Sequence, residues 1–403
     1  MADIDLYINN KIVGRVAKTA GKHIFSYHQD AVEALSLTMP LRIESYSNLT
    51  LHPIFQMNLP EGSLRRAIEL ATAKQYGSDD LTMLALLGPN QIGRLSYTIA
   101  GQPLSEKREV IPDLNSLLNS NDAQLFEQLL TRFATSSGVA GVQPKILLDI
   151  ADKEIATLKA KATLPMQSYI VKSWGNEYPE LGCNEYVCLT LARYAGLQLP
   201  QYYLSENGKL LITKRFDLGK DGAPLGFEDF CVLQGKGTKE KYDASLESCT
   251  NTIRQYVSPI FQQQALYDFF KLTLINTLVR NGDAHLKNSG VIYQNLKQYY
   301  LGQLPETHRK LSPAFDIVST VPYIKDDTMA LSLTGSKRWP KWKVLKKFAK
   351  QHCALNSKKT DQAVDEVFSA RDQVLPLMHE LSVKHPDFQV VAEAMVAAIK
   401  QSF

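Results

Sequence analysis

The chain has 403 residues, of which 44% are hydrophobic and 21% charged, a composition typical of globular proteins. This length predicts two or three packed units. The 45 basic and 41 acidic residues give a net charge of +4, which is too balanced to indicate nucleic-acid binding by itself.

The five cysteines are scattered and include no CxxC pair, so the sequence predicts neither a disulfide framework nor a zinc site. The segment Met1–Tyr7 mixes acidic and hydrophobic residues and reads as a strand, not as a signal peptide. No apolar run approaches the roughly 18 to 20 residues that span a bilayer. We therefore expect a cytoplasmic protein with reduced thiols and no membrane partner.

The first 100 residues mix strand and helix signals. Residues 3–15 alternate hydrophobic and polar side chains around Asn9 and Asn10, which predicts a β-hairpin. After it, residues 59–67 predict a turn that leads into a helix ending near residue 75. A short helix at 81–87, a strand at 91–99 and a linker at 101–122 are then expected.

A second unit is predicted from about residue 123. Its predicted helices are 124–133 and 184–194, and its predicted strands are 146–150, 168–172 and 209–216. From residue 228 the chain is expected to be mostly helical. A β-rich lobe before a helical lobe is typical of protein kinases. The predicted fold class is therefore α+β, a bilobal protein-kinase-like fold with an extra N-terminal α/β subdomain. The predicted domains are 1–105, 123–227 and 228–403.

The segment Asn281–Gly290 carries the strongest functional signal. It places Asp283 and Asn288 five positions apart after an apolar helical run, and Asp316 follows downstream. In kinases, an aspartate in this layout accepts the proton of the attacking hydroxyl, while the asparagine and the second aspartate bind Mg²⁺. The same spacing also occurs by chance and at helix caps, so the pair alone does not establish a kinase.

Other residues would complete a phosphate-transfer site. Lys172, at the end of a predicted strand, could reach the phosphates of ATP, and Glu185 on the next helix could orient it. The loop Gly138–Gly141 could cover the phosphates with backbone N–H groups. The simpler alternatives are a solvated lysine and an ordinary turn. His285 is better explained as a neutral histidine that supports its loop than as a metal ligand, because no second His or Cys lies at ligand spacing.

The stretch Lys337–Lys350 contains seven cations, no acidic residue and two tryptophans. It could bind a phosphate-rich partner such as tRNA or DNA. The spacing of Trp342, Leu345 and Phe348 favours the alternative of an amphipathic helix whose lysines face solvent.

Taken in order, these motifs resemble the HipA-type serine/threonine kinases, the toxins of bacterial type II toxin–antitoxin systems. The similar segments cover nearly the whole chain: 7–14, 59–65, 138–145, 169–172, 184–186, 214–217, 228–231, 281–288 and 314–320. The resemblance implies that Asp283 is the catalytic base and that Asn288 and Asp316 bind Mg²⁺. The ATP-binding residues that it implies are Gly138, Val139, Ala140, Gly141, Lys172, Lys214, Phe216, His285 and Lys287.

The sequence departs from the family at two positions. Gly138 stands where relatives often carry a regulatory, autophosphorylated serine, so autophosphorylation either uses Ser136 or Ser137 or is absent. Lys214 begins the hinge where an acidic residue is common. A backbone contact to adenine would survive that change.

The resemblance further implies a protein substrate, such as an aminoacyl-tRNA synthetase whose modification arrests translation. It also implies a small helix-turn-helix antitoxin, HipB-like, that binds operator DNA. Two alternatives remain: a small-molecule phosphotransferase of the aminoglycoside-kinase type, and a nucleotide-binding or DNA-complex module without catalysis. The N-terminal unit disfavours the first alternative, and the intact Asp283, Asn288 and Asp316 disfavour the second.

Overall fold

The computed structural model describes residues 3–62, 65–66, 68–69, 79–88, 91–104, 110–111, 114–120, 145–151, 166–175, 177–297 and 299–402. The chain divides into two compact units. The first comprises Met1–Lys172, Lys214–Thr238 and Ile292–His308, and the second comprises Ser173–Thr213, Lys239–Val291 and Arg309–Phe403.

The strands of the described residues are β1 (Ile4–Ile8), β2 (Lys11–Thr19), β3 (Lys22–Tyr27), β4 (Tyr46–Asn48), β5 (Leu95–Ile99), β6 (Val110–Ile111), β7 (Lys145–Ala151), β8 (Met166–Lys172), β9 (Tyr202–Leu204), β10 (Leu211–Lys214), β11 (Gly226–Asp229), β12 (Gly290–Tyr293) and β13 (Arg309–Leu311). The helices are α1 (Pro53–Gln56), α2 (Asp80–Leu87), α3 (Leu114–Leu118), α4 (Leu181–Tyr194), α5 (Phe230–Leu233), α6 (Leu246–Tyr256), α7 (Pro259–Leu278), α8 (Trp342–Gln351), α9 (Ser357–Lys384) and α10 (Phe388–Gln401).

An antiparallel sheet of order β4-β3-β2-β1-β5 forms the beginning of the first unit. The predicted hairpin is confirmed: Asn9 and Asn10 connect β1 to β2 with φ values of 50° and 62°. Two successive positive φ values define the turn that matches the twist of paired strands, and asparagine tolerates them. Buried side chains on the sheet include Leu6, Phe25 and Tyr97.

A second group of strands in this unit lies partly in the predicted linker. β6 pairs in parallel with β7, with Val110 opposite Asp149, and β7 pairs antiparallel with β8. α3 follows β6 and buries Leu117. The linker prediction for 101–122 was therefore wrong for these residues. Polar residues dominate its composition, but the β-branched pair Val110–Ile111 finds backbone partners in a distant strand.

The second unit is mostly helical, as predicted for the residues after 228. α9 packs against α4, α7 and α10. The buried side chains Phe270 and Ile275 of α7 and Val367 of α9 contribute to this core. α7 ends at Leu278, directly before the segment Asn281–Gly290, so a rigid helix determines where that segment begins. No helix in the described part of the chain is long and apolar enough to cross a membrane.

His52 makes the stability of the first unit depend on pH. Its Nδ1 caps α1 by accepting from the N–H of Ile54 at 3.3 Å. Burial lowers the pKa of His52 to about 4, so the folded protein keeps this imidazole neutral at pH values where the unfolded chain protonates it. The unfolded state then binds more protons, and the free energy of unfolding falls as pH drops from about 6.5 towards 4.

Between about pH 7.5 and about pH 5.5, the free energy of unfolding of His52→Asn is expected to fall by about 1 kcal/mol less than that of the wild type. Asparagine retains a capping acceptor but does not titrate. Urea unfolding of both proteins at the two pH values measures the difference. An identical pH dependence in the two proteins would contradict the assigned burial of His52.

Candidate active site

The loop that carries Asp283 begins where α7 ends. Arg280 has a left-handed backbone with φ 55°, and the N–H of Asn281 donates to the carbonyl of Asn276 at 2.8 Å. The buried side chain of Asn281 donates to Asn276 Oδ1 at 2.9 Å and accepts from the N–H of Asp283 at 3.1 Å. Because one buried amide binds both the helix end and the loop, Asp283 is held in a defined position.

Asn288 connects Asp283 to Asp316. It ends the 3-10 turn Leu286–Asn288 and is 9% exposed. Its Nδ2 donates to the carbonyl of Asp283 at 3.1 Å and more weakly to the carbonyl of Asp316 at 3.4 Å. Since both hydrogen bonds use the amide nitrogen, the amide oxygen is directed away from these carbonyls. The three residues predicted to carry the chemistry thus lie together in the second unit.

Asp316 has an unusual backbone conformation. Its φ of 57° lies in the left-handed region, which aspartate and asparagine tolerate better than other non-glycine residues. The following segment is anchored to α4 by the buried Asn184, which donates to the carbonyl of Ser319 at 2.8 Å and accepts from its N–H at 2.9 Å. These two hydrogen bonds fix the backbone three residues after Asp316.

The carboxylate of Asp283 is accessible to a substrate, with 48% of its side chain exposed. Tyr242 donates its hydroxyl to Asp283 Oδ1 at 2.6 Å. His285 Nε2 lies 3.9 Å from the same oxygen. Burial lowers the pKa of His285 to about 4, so this histidine is neutral at physiological pH and forms no ion pair with Asp283.

No motif in the sequence identifies Tyr242, because it precedes Asp283 by 41 residues. Its ring packs edge-on against His285, with centroids 5.1 Å apart. The carbonyl of Lys241 accepts from the N–H of Leu286 at 3.1 Å, which docks this segment on the loop. The ring contact with His285 and the hydrogen bond to the carbonyl of Lys241 therefore hold Tyr242 next to the candidate base.

We expect Tyr242→Phe to lower kcat for phosphate transfer about tenfold, because a hydrogen bond to a charged group is lost. The KM for ATP should stay within about twofold, since the hydroxyl that is removed bonds to the candidate base. Steady-state kinetics measure both, with the exposed Tyr194→Phe as the control. An unchanged kcat would show that the hydroxyl of Tyr242 does not position Asp283.

Gly282 lies where two segments approach each other closely. Its N–H donates to Thr320 Oγ1 at 2.8 Å, and a Cβ at this position would lie 1.9 Å from Oδ2 of Asp327. A side chain at residue 282 would require the carboxylate of Asp327 to move. The loop before Asp283 therefore lies close to the segments of Thr320 and Asp327.

The candidate nucleotide residues Lys172, Lys214 and Phe216 belong to the first unit. Lys172 ends β8 and is 6% exposed, which argues against a solvated surface lysine. The N–H of Arg215 donates to the carbonyl of Ser168 at 2.9 Å, so the predicted hinge runs beside β8. Phe216 packs edge-on against another aromatic ring, Phe227, at 5.3 Å.

Comparison with known families decides the assignment. Residues 4–98 match the HipA N-terminal domain, and residues 137–375 match the HipA-like C-terminal domain. The chain belongs to the HipA family. The match over residues 4–98 favours this family over the aminoglycoside-kinase alternative, as the N-terminal motifs predicted.

Relatives and a solved structure agree with the HipA assignment. The Sinorhizobium fredii protein Y4dM is 28% identical over 382 residues, covering 88% of this chain and 85% of the relative. Y4mE of the same organism is 27% identical over 350 residues, covering 79% and 78%. Both carry the name "Putative kinase".

The solved structure is that of Shewanella oneidensis HipA in complex with HipB and operator DNA. It superimposes with a TM-score of 0.70 at 18% identity, covering 98% of this chain and 96% of that one. The predicted α+β, protein-kinase-like fold with an additional N-terminal subdomain is thereby confirmed. The two family matches, and not the superposition, identify the chain as a HipA-type kinase. The predicted domain boundaries at 105, 123 and 228 stay predictions.

The donors in this HipA site suit Mg²⁺. Asp316 offers a carboxylate and Asn288 an amide oxygen, both of the hard type that Mg²⁺ prefers. The described residues contain no cluster of three or more His, Cys, Asp or Glu that could hold a metal. Two protein ligands fit an ion that completes its coordination with water and substrate phosphates.

The remaining predicted residues are distributed as follows. His285 is buried, Lys287 is half-buried in the turn before Asn288, and Glu185 is buried on α4, all in the second unit. The predicted phosphate loop and its serines lie outside the described residues: Ser136, Ser137, Gly138, Val139, Ala140 and Gly141. Their roles stay predictions.

Proposed function

We propose that this HipA-family kinase transfers the γ-phosphate of ATP to a serine or threonine hydroxyl of a protein. The observation that supports it is the hydrogen bonding of Asn288 to the carbonyls of Asp283 and Asp316, which gathers a candidate base and two candidate metal ligands. Asp283, partly exposed and held by Tyr242, accepts the proton of the attacking hydroxyl.

In this proposal Asn288 Oδ1 and the carboxylate of Asp316 would hold Mg²⁺. When bound, the ion would neutralise charge on the phosphates of ATP. By resemblance to the family, Lys172 is the candidate to bind those phosphates and Glu185 the candidate to orient it. The backbone of Lys214 to Phe216 contacts adenine. The loop Gly138–Gly141, with Val139 and Ala140, covers the phosphates, and Ser136 or Ser137 is the candidate for autophosphorylation.

We further propose that the kinase is a cytoplasmic toxin that acts on a translation-related protein such as an aminoacyl-tRNA synthetase. A small helix-turn-helix antitoxin would restrain it and link it to operator DNA. The fold shared with Shewanella HipA, which was solved with HipB and operator DNA, supports this arrangement. The suggested target, an aminoacyl-tRNA synthetase, comes from the resemblance of the motifs to the family and not from any contact in this structure.

Expression of the wild-type chain in a bacterial host is expected to arrest growth, and Asn288→Ala is expected to relieve the arrest. The substitution removes one candidate Mg²⁺ ligand and the link between Asp283 and Asp316. Growth curves at matched protein levels measure the effect, with the exposed Lys400→Gln as the control. Equal arrest by wild type and Asn288→Ala would contradict a toxicity that depends on phosphate transfer.

A further inference from the structure

The stretch 337–350, called the cationic segment below, presents an unbroken set of exposed positive charges. Its exposed cations are Lys337, Arg338, Lys341, Lys343, Lys346, Lys347 and Lys350. The segment contains no acidic residue, although the whole chain carries a net charge of only +4. The positive charge is therefore concentrated in this segment and is not a property of the whole chain.

Helix α8 gives the cationic segment two distinct faces. Leu345 and Phe348 are 0% and 1% exposed, while the lysines between and beside them are exposed. Trp342 is half-buried and lines a small cavity together with Leu274 and Val367. The amphipathic helix predicted from the spacing is confirmed. The exposed face of the helix consists of four lysines and Gln351, and therefore offers mainly charge.

The cationic segment begins beside the candidate base. Lys337 Nζ donates to the carbonyl of Tyr242 at 3.1 Å, and the hydroxyl of Tyr242 contacts Asp283. Two residues further, Trp339 stacks under the guanidinium of Arg280 at 5.1 Å, immediately before the loop of Asp283. The exposed cations therefore extend from the candidate site outward along α8.

Neighbouring carboxylates do not neutralise this charge. Trp339 Nε1 donates to the backbone carbonyl of Asp327, whose carboxylate accepts from the N–H of Thr328 at 2.8 Å. Glu247 accepts from the N–H of Thr334 at 2.8 Å. Among the residues that the structure describes, the ion pairs involve none of the seven cations.

We propose that the cationic segment binds an acidic stretch of the protein substrate that flanks the hydroxyl presented to Asp283. This inference rests on the proposed function and names its substrate class: proteins whose target serine or threonine lies beside several Asp or Glu residues. The segment starts at the candidate base, so a polypeptide with its hydroxyl at Asp283 can continue along it. An extended stretch advances about 3.3 Å per residue, and about six residues would reach across α8.

The charge arrangement supports an electrostatic contact that selects and steers the substrate. Exposed ion pairs contribute little individually, but complementary charges raise the association rate and disfavour partners of like charge. A nucleic acid is the competing occupant, since it also carries regular negative charge. We favour the acidic polypeptide because the cations adjoin the candidate phosphate-transfer residues.

The test uses two serine peptides of identical length, one with Glu and one with Gln at the flanking positions. The fourfold variant, so called because it carries four substitutions, replaces Lys343, Lys346, Lys347 and Lys350 with Gln. Gln is a good helix former and should preserve α8. The control replaces two exposed lysines elsewhere in the second unit, Lys358→Gln and Lys400→Gln.

We expect wild type and control to show about tenfold higher kcat/KM for the Glu peptide, and the fourfold variant to show about equal values for both peptides. The preference should also weaken as salt is raised. Equal preference in variant and control would overturn the inference. Indifference to peptide charge, with loss of duplex-DNA binding in the fourfold variant, would overturn it in favour of a nucleic acid.

Binding separates this inference from the proposed function. Fluorescence anisotropy of the labelled Glu peptide with full-length protein should show binding that the fourfold variant loses and the control retains. If that binding pattern holds and wild type transfers phosphate to no peptide or protein, the acidic-ligand surface stands while the protein-kinase proposal fails. If the Glu peptide is phosphorylated but binds wild type and variant equally, the surface is wrong and the kinase proposal stands.

Discussion

Asp283→Asn is expected to lower kcat for phosphate transfer about 1,000-fold, the typical contribution of a positioned general base. Asparagine has nearly the same shape and its amide oxygen still accepts the hydrogen bond of Tyr242, but it cannot take up the proton of the hydroxyl. The loop itself should persist, because Asn281 holds it through the backbone N–H of residue 283.

The measurement combines single-turnover transfer from ATP with a separate ATP-binding assay. Binding of ATP should change by less than about threefold, since the base acts on the hydroxyl and not on the nucleotide. Asp326→Asn, an exposed aspartate in the same unit, is the matched control. If Asp283→Asn retained the wild-type kcat, the assignment of Asp283 as the general base would be wrong.

Asp316→Asn is the second change with a large expected effect. It removes the charged candidate ligand for Mg²⁺, and we expect kcat to fall about 100-fold or more with a higher Mg²⁺ requirement. The backbone should tolerate it, because asparagine adopts the left-handed conformation that Asp316 occupies at φ 57°. The loss can therefore be assigned to the side chain and not to misfolding.

A titration of activity against Mg²⁺ concentration tests this prediction. The midpoint should shift upward in Asp316→Asn and stay unchanged in Asp326→Asn. Thermal unfolding of the two variants without metal should agree within about 2 °C, which excludes a general loss of structure. An unchanged Mg²⁺ midpoint in Asp316→Asn would show that the carboxylate does not bind the ion.

Local patterns in the sequence predicted many of the described elements. The hairpin at Asn9 and Asn10 was predictable because its turn is determined by adjacent residues. The helix predicted over 184–194 is also formed by a local pattern, and in the structure it spans Leu181–Tyr194. The strand predicted over 209–216 is shorter in the structure, Leu211–Lys214, because strand ends depend on partners and not on composition alone.

Contacts between distant residues could not be predicted in this way. Tyr242 and Asp283 are 41 positions apart, and Asn184 and Ser319 are 135 positions apart. No spacing rule connects such pairs, because each joins segments that are distant along the chain and meet only in the folded structure. The sequence therefore identified the candidate base and metal ligands, which lie in two short motifs, but not the residues that position them.

Phosphoproteomics of cells that express wild type or Asp283→Asn at matched levels tests the central claim most directly. The account predicts phosphoserine or phosphothreonine on a small set of proteins in wild-type cells, and its loss in the Asp283→Asn cells. Purified wild-type protein should reproduce the modification with ATP and Mg²⁺. Identical phosphorylation in both cell populations would contradict a protein kinase that acts through Asp283.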